Sequence, residues 1–116
     1  MSIARIVARY TENTQDTITL LCGIDGDNQI RQGEWFGVVK NDDGQGDESN
    51  YPFTLHIDYQ KKAFYLDYGF DEADTRQLQE IDIQQQPLAE NGVFTIVDVE
   101  EGEEYSYKIS SIHLYD

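Results

Sequence analysis

The chain has little cysteine, little histidine and few basic residues, and each shortage removes a class of explanation. Cys22 is the only cysteine, so no intramolecular disulfide can form and the chain fits a reducing compartment. With no nearby base indicated, Cys22 reads as a small buried apolar residue, not a nucleophile. His56 and His113 are the only histidines, and their spacing demands no metal site. Lys and Arg number 8 against 23 Asp and Glu, for a formal net charge of -15. That charge opposes binding to nucleic acid or to an anionic membrane surface and favours a cationic partner. There is no apolar run of the roughly 18 residues that a spanning helix needs. The start, MSIARIVARYTENT, has no apolar signal core or cleavage signature, and the chain is expected in the cytoplasm. No Gly-rich phosphate loop, nucleophile elbow or HExxH motif occurs. Carboxylate pairs are inevitable among so many acids, so they carry no information about acid–base catalysis. No enzymatic activity, metal or cofactor is expected. The run from Asp25 has the start of a calcium loop, but Ile30 and Phe36 stand where such a loop needs Gly and Glu.

What the chain does have is alternation. Its 116 residues make one domain, 1–116, with a single modest core. Aromatic residues are 12% of it, including eight tyrosines and five phenylalanines, and these favour strands. Strand candidates are 3–10 with Ile3, Ile6 and Val7, then 17–24 with Ile18, Leu20, Cys22 and Ile24 on one side at period two, and 34–40 with Trp35, Phe36, Val38 and Val39. The clearest is 51–59, with Tyr51, Phe53, Leu55 and Ile57 in phase. A tight turn at Gln60-Lys61-Lys62 follows, and 63–68 runs back. The runs 93–99 and 104–115 form a last hairpin. In the final run Tyr105, Tyr107 and Ile109 share one phase while Ile112 and Leu114 share the other, which predicts a bulge near Ser110-Ser111. These patterns predict a mainly β fold: a small antiparallel barrel or sandwich of six to eight short strands. The segment 71–80 stays open. Asp71, Glu72 and Asp74 resemble a helix N-terminus, which allows one short helix, whereas Ile81 and Ile83 alternate as in a strand beginning near Leu78. Gln84-Gln85-Gln86-Pro87 breaks regular structure. Phe36–Val39 and Tyr51–Leu55 echo Phe94–Val97 and Tyr105–Ile109, and convergence of two β-hairpins on one pattern explains this most simply.

The negative charge is concentrated in three segments between strand runs. Asp42, Asp43, Asp47 and Glu48 load the first, Asp71, Glu72, Asp74, Glu80 and Asp82 the second, and Asp98, Glu100, Glu101, Glu103 and Glu104 the third. If the fold brings two of them together, one face acquires a strong negative potential. Tyr51, Tyr105 and Tyr107 adjoin these acids. Tyrosine beside carboxylate suits a basic, partly apolar protein surface, because the ring supplies contact area and a hydrogen bond at low entropic cost. The candidate partner-binding residues are therefore Asp42, Asp43, Asp47, Glu48, Tyr51, Glu100, Glu101, Glu103, Glu104, Tyr105 and Tyr107.

In small size, single-domain organisation, strong acidity and lack of a secretion signal or catalytic motif, the chain resembles the immunity proteins of bacterial polymorphic toxin and contact-dependent growth inhibition systems. The resemblance is one of overall character and carries no motif residue. It implies a cytosolic protein that binds and blocks a basic toxin, often a nuclease, by covering its active or substrate-binding surface. DNA-mimic inhibitors of the anti-restriction or anti-CRISPR kind share the same character, and an acidic structural or accessory domain is a third reading. Nothing in the sequence sets the oligomeric state.

Overall fold

The computed structural model describes residues 2–115. Eight strands follow in order: β1 (Ser2–Tyr10), β2 (Asn13–Ile24), β3 (Gly33–Asp42), β4 (Glu48–Asp58), β5 (Ala63–Phe70), β6 (Arg76–Ile81), β7 (Val93–Asp98) and β8 (Glu104–Tyr115). Each pairs antiparallel with the next, and β8 returns to β1, closing a barrel. Closure gives every described strand a neighbour on both sides, so none is an edge strand. No helix among the described residues is long and apolar enough to cross a membrane.

Period-two alternation sends one phase of each strand inward. Ala4, Ile6 and Ala8 come from β1, Ile18, Leu20 and Cys22 from β2, Phe53, Leu55 and Ile57 from β4, and Phe94 and Ile96 from β7, all buried. Leu55 pairs across to Leu66, and neither has any exposed surface. An eight-stranded barrel is only just wide enough for such side chains to fill. Burial pushes the Cys22 thiol up to about 12, in line with a packing role.

The expected slip in the last strand is a bulge. Val7 pairs with Ser111 and Ala8 with Ile109, leaving Ser110 over, and the Ser110 hydroxyl donates to the Val7 carbonyl at 3.0 Å. The extra residue lets both Ile109 and Ile112 pack against the core. The sequence echo holds only in part. Phe53 and Leu55 match Tyr107 and Ile109 in being buried, but Phe36 is 66% exposed whereas Phe94 is buried.

The short helix near 71–80 does not form. Asp71 Oδ1 instead accepts the amides of Ala73 and Thr75 at 2.9 and 2.8 Å, Asp74 takes a left-handed φ of 60°, and β6 begins at Arg76. An acidic residue caps a tight turn as it caps a helix, by accepting free amides, so the acid-rich start did not distinguish the two. Among the described residues the only helical element is a 3-10 turn, Ile83–Gln85.

Up-and-down topology places successive connections at opposite ends of the barrel. The end with connections 25–32, 59–62 and 82–92 is closed. Ile30, Ile83 and Leu88 are buried there. The Leu88 amide donates to the Asn28 carbonyl at 2.8 Å, the Tyr59 hydroxyl to the Ile30 carbonyl at 2.6 Å, and the Gln29 side chain to the Gln84 carbonyl. The Trp35 indole donates to the Arg31 carbonyl at 2.9 Å and lies against Gly23, where a Cβ would come within 2.8 Å of the ring.

Candidate functional site: the open acidic mouth

The three most acidic connections lie at the other end, with the turn between β1 and β2; of the second acidic segment only Asp71, Glu72 and Asp74 are there, while Glu80 and Asp82 run on towards the closed end. Residues 10–13, 42–48, 70–76 and 98–104 carry thirteen carboxylates and one arginine. The corresponding stretches of the closed end, 24–33, 58–63 and 81–93, carry five carboxylates and three basic residues. The barrel is therefore electrostatically polar along its axis.

Some of this acidity builds the loops. Asp42 Oδ1 accepts the Gly44 amide at 2.8 Å. Asp43 Oδ1 accepts the Gln45 and Asp47 amides at 2.7 and 3.2 Å, and Asp98 Oδ1 those of Glu100 and Glu101 at 3.0 and 3.3 Å. These are Asx turns, in which a short carboxylate replaces a backbone acceptor. Gly102, at φ 70°, lets the chain reverse between β7 and β8. Glu48 forms a surface ion pair with Lys40 at 3.0 Å. Asp47, Glu100, Glu101 and Glu104 are exposed, and among the described residues their side chains make no hydrogen bond or ion pair. Of the acidic candidates, these four are the most freely available to a partner.

Within the ring of loops lies a cavity of about 650 Å³. Val39, Ile96 and Tyr107 give it an apolar base, and Tyr10, Tyr51, Tyr68 and Tyr105 line it with Asp16, Asn41, Asp98 and Glu100. Tyr51 is 46% exposed at the rim. Tyr107, expected at a partner-facing surface, is instead buried, 6% exposed, because its phase points inward and its ring stacks on Phe94 at 5.9 Å between centroids. Tyr10 ties the tyrosines together, with ring centroids 5.8 Å from Tyr105 and 5.6 Å from Tyr107.

Sequence reasoning missed Tyr10, Asp16, Asn41 and Tyr68. A signal existed. Asp16 continues the inward phase of Ile18 and Leu20, Asn41 that of Val39, and Asp98 that of Phe94 and Ile96. A polar residue in core phase at the same end of several strands marks an unfilled barrel end.

The tyrosine phenols are held neutral. The Tyr105 hydroxyl donates to Glu103 at 2.5 Å; this bond, with burial and the nearby Asp98 and Glu101, raises its pKa to about 12. Burial first, then Asp16, raises Tyr107 to about 12. Burial also raises Tyr68, whose hydroxyl donates to Gln79 at 2.8 Å. Tyr10 is raised by its hydrogen bond to Glu12. Folded values above the unfolded value of about 10 mean that this stability is complete below pH about 10 and is lost as the pH rises towards 12. In a spectrophotometric titration Tyr68→Phe, Tyr105→Phe and Tyr107→Phe should leave the absorbance change up to pH about 10.5 unaltered and remove only the late part. Loss of the early part would place these phenols in water.

Among the described residues one cation lines the mouth. Arg76 Nε donates to Asp67 Oδ2 at 2.9 Å, and its terminal nitrogen bonds the same oxygen. The guanidinium holds the Asp67 carboxyl below its ordinary value, so Arg76 is already neutralised. The two histidines lie apart, His56 stacked on Tyr65 and 3.1 Å from Glu34, His113 against Tyr115. Among the described residues no group of three or more His, Cys, Asp or Glu is placed to hold a metal ion.

The chain matches no protein-family profile, and no curated protein or solved structure matches it significantly.

Proposed function

We propose that the protein is a binding inhibitor that meets a basic protein with the open end of its barrel. A toxin that acts on nucleic acid is the partner class this reading favours, because such a protein must present lysines and arginines to its substrate. The inhibitor would occlude that surface with its own carboxylates. The observation that carries the reading is the gathering of the three most acidic connections at one end, with a cavity at their centre. A low-dielectric barrel ringed by one sign of charge focuses potential outward and speeds encounter with an opposite surface. DNA mimicry calls for carboxylates along a face, and a ring around a barrel mouth supports it less.

The test is capture of the partner on immobilised protein from the source lysate, followed by assay of the captured protein's own activity. The expected result is one basic protein, released as salt rises from about 0.05 to 0.5 M and inhibited at one equivalent. A captured protein that is acidic, or whose activity is unchanged at saturation, would overturn the reading.

A further inference from the structure

We propose that the mouth cavity is the receptor for an arginine side chain borne on a loop of the basic partner. The inference rests on the protein-binding reading and names the group that reading requires at the centre of the interface.

The argument starts from size and sign. A cavity of about 650 Å³ lies within the range that takes an inserted ligand, roughly 300–1,000 Å³. It is too large for one side chain alone, so it admits a side chain together with the turn that carries it. Asp16, Asp98 and Glu100 line it, and among the described residues none of the three is in an ion pair. Asp16 engages the Asp42 amide through Oδ1 alone, and Asp98 likewise uses only Oδ1, which leaves each a second oxygen. Arg76, the cation on the wall, is matched by Asp67. An entering group therefore meets uncompensated negative charge, and an anion is excluded.

The walls then choose among cations. Four tyrosines and an apolar base suit a group that is charged yet weakly hydrated. Guanidinium is planar, stacks on aromatic rings and bonds carboxylates through two donors at once, whereas an ammonium ion is compact and strongly hydrated. Arginine and tyrosine are also the residues on which interface affinity concentrates. Bonds from Tyr105 to Glu103 and from Tyr10 to Glu12 hold two of the rings before a ligand arrives, which lowers the entropy cost of binding.

The experiment is an NMR titration of the protein with the capped tripeptide Gly-Arg-Gly, and with the same peptide carrying citrulline, which keeps the shape and removes the charge. The arginine peptide should shift the ring signals of Tyr68, Tyr105 and Tyr107 saturably, and the citrulline peptide should not. Asn41→Trp, which puts an indole among the tyrosines where the guanidinium would stack, should abolish the shifts. Tyr51→Ala with Glu100→Gln, two exposed rim changes that spare the core, should weaken binding about tenfold. Equal responses to the two peptides, or shifts confined to the closed end, would overturn the proposal. With the captured partner, Asn41→Trp should shorten the lifetime of the complex at least about tenfold at an unchanged association rate. If loop charge reversal slows association while Asn41→Trp leaves the lifetime intact, the arginine receptor is wrong and the basic-partner reading stands. If the tripeptide saturates but no basic protein is captured, the partner reading fails and the site remains.

Discussion

Glu100→Lys, Glu101→Lys and Glu104→Lys together should slow association with the basic partner by about 10- to 100-fold at low salt. The three side chains are exposed and among the described residues make no hydrogen bond, so their reversal changes six units of charge without removing a described contact. Glu103 is spared because it holds the Tyr105 hydroxyl. The effect should shrink as ionic strength rises, since the Debye length falls from about 10 Å at 0.1 M to about 3 Å at 1 M. Dissociation should change less than association, as expected for rim charges. The control is Asp27→Lys with Glu90→Lys, two exposed positions at the closed end, which should leave the rate within about twofold. Stability should hold or improve, because reversal relieves repulsion among crowded carboxylates. Stopped-flow association at several salt concentrations measures all of this, and equal slowing by both variants would mean that net charge matters and its placement does not.

Gly37→Ala should destabilise the barrel by about 3 kcal/mol, at the upper end of what overpacking usually costs. A Cβ at Gly37 would lie 2.4 Å from the Thr19 carbonyl oxygen and 2.4 Å from the Phe53 ring. The oxygen belongs to the neighbouring strand and the ring to the core, so neither can yield without moving β2 or β4. Gly37 pairs with Leu20 on one side and Phe53 on the other. The aromatic ring covers the glycine, and an interior glycine covered in this way is a device that lets a sheet curl into a barrel. Against a total stability of about 5–15 kcal/mol, a loss of this size is large. Gly26→Ala is the control, because a Cβ there meets nothing within 4 Å. Urea unfolding of both variants should show the midpoint of Gly37→Ala falling well below that of Gly26→Ala. Equal midpoints would mean the strands move apart at little cost.

Local features of this fold are legible in the chain because they are written at short range. Seven of the eight strands follow from short apolar runs, several of them alternating; β6 (Arg76–Ile81) does not, because the acid-rich stretch before it suits a turn, a helix or a strand alike. The bulge follows from the change of phase between Ile109 and Ile112, and the hairpin at 60–62 from a turn between two alternating runs. Three features depend on distant pairing and do not show. Closure joins β1 to β8 across almost the whole chain, so barrel and sandwich cannot be separated locally. Phe36 and Phe94 sit in similar four-residue contexts yet face opposite ways, since facing is set by strand register. Asp71 caps a turn with the same acceptor geometry that caps a helix, and only the absence of helical apolar spacing after it decides between them. The acidic segments were visible as composition. Their convergence on one end was not, because it depends on the parity of strands: three connections separated by two strands each must fall on the same side once the order is up-and-down. Tyr107 shows the converse: acids lie near it in the chain, yet its phase with Ile109 places it inside.

The central claim is that the partner meets the open end of the barrel. Hydrogen exchange of the protein, free and in complex with its captured partner, tests it most directly. The account predicts slowed exchange in the connections 11–12, 43–47, 71–75 and 99–103 and in the strand ends that border them, with 25–32, 59–62 and 82–92 unchanged. Protection at the closed end or along the outer wall, with the acidic connections exchanging as in the free protein, would contradict it.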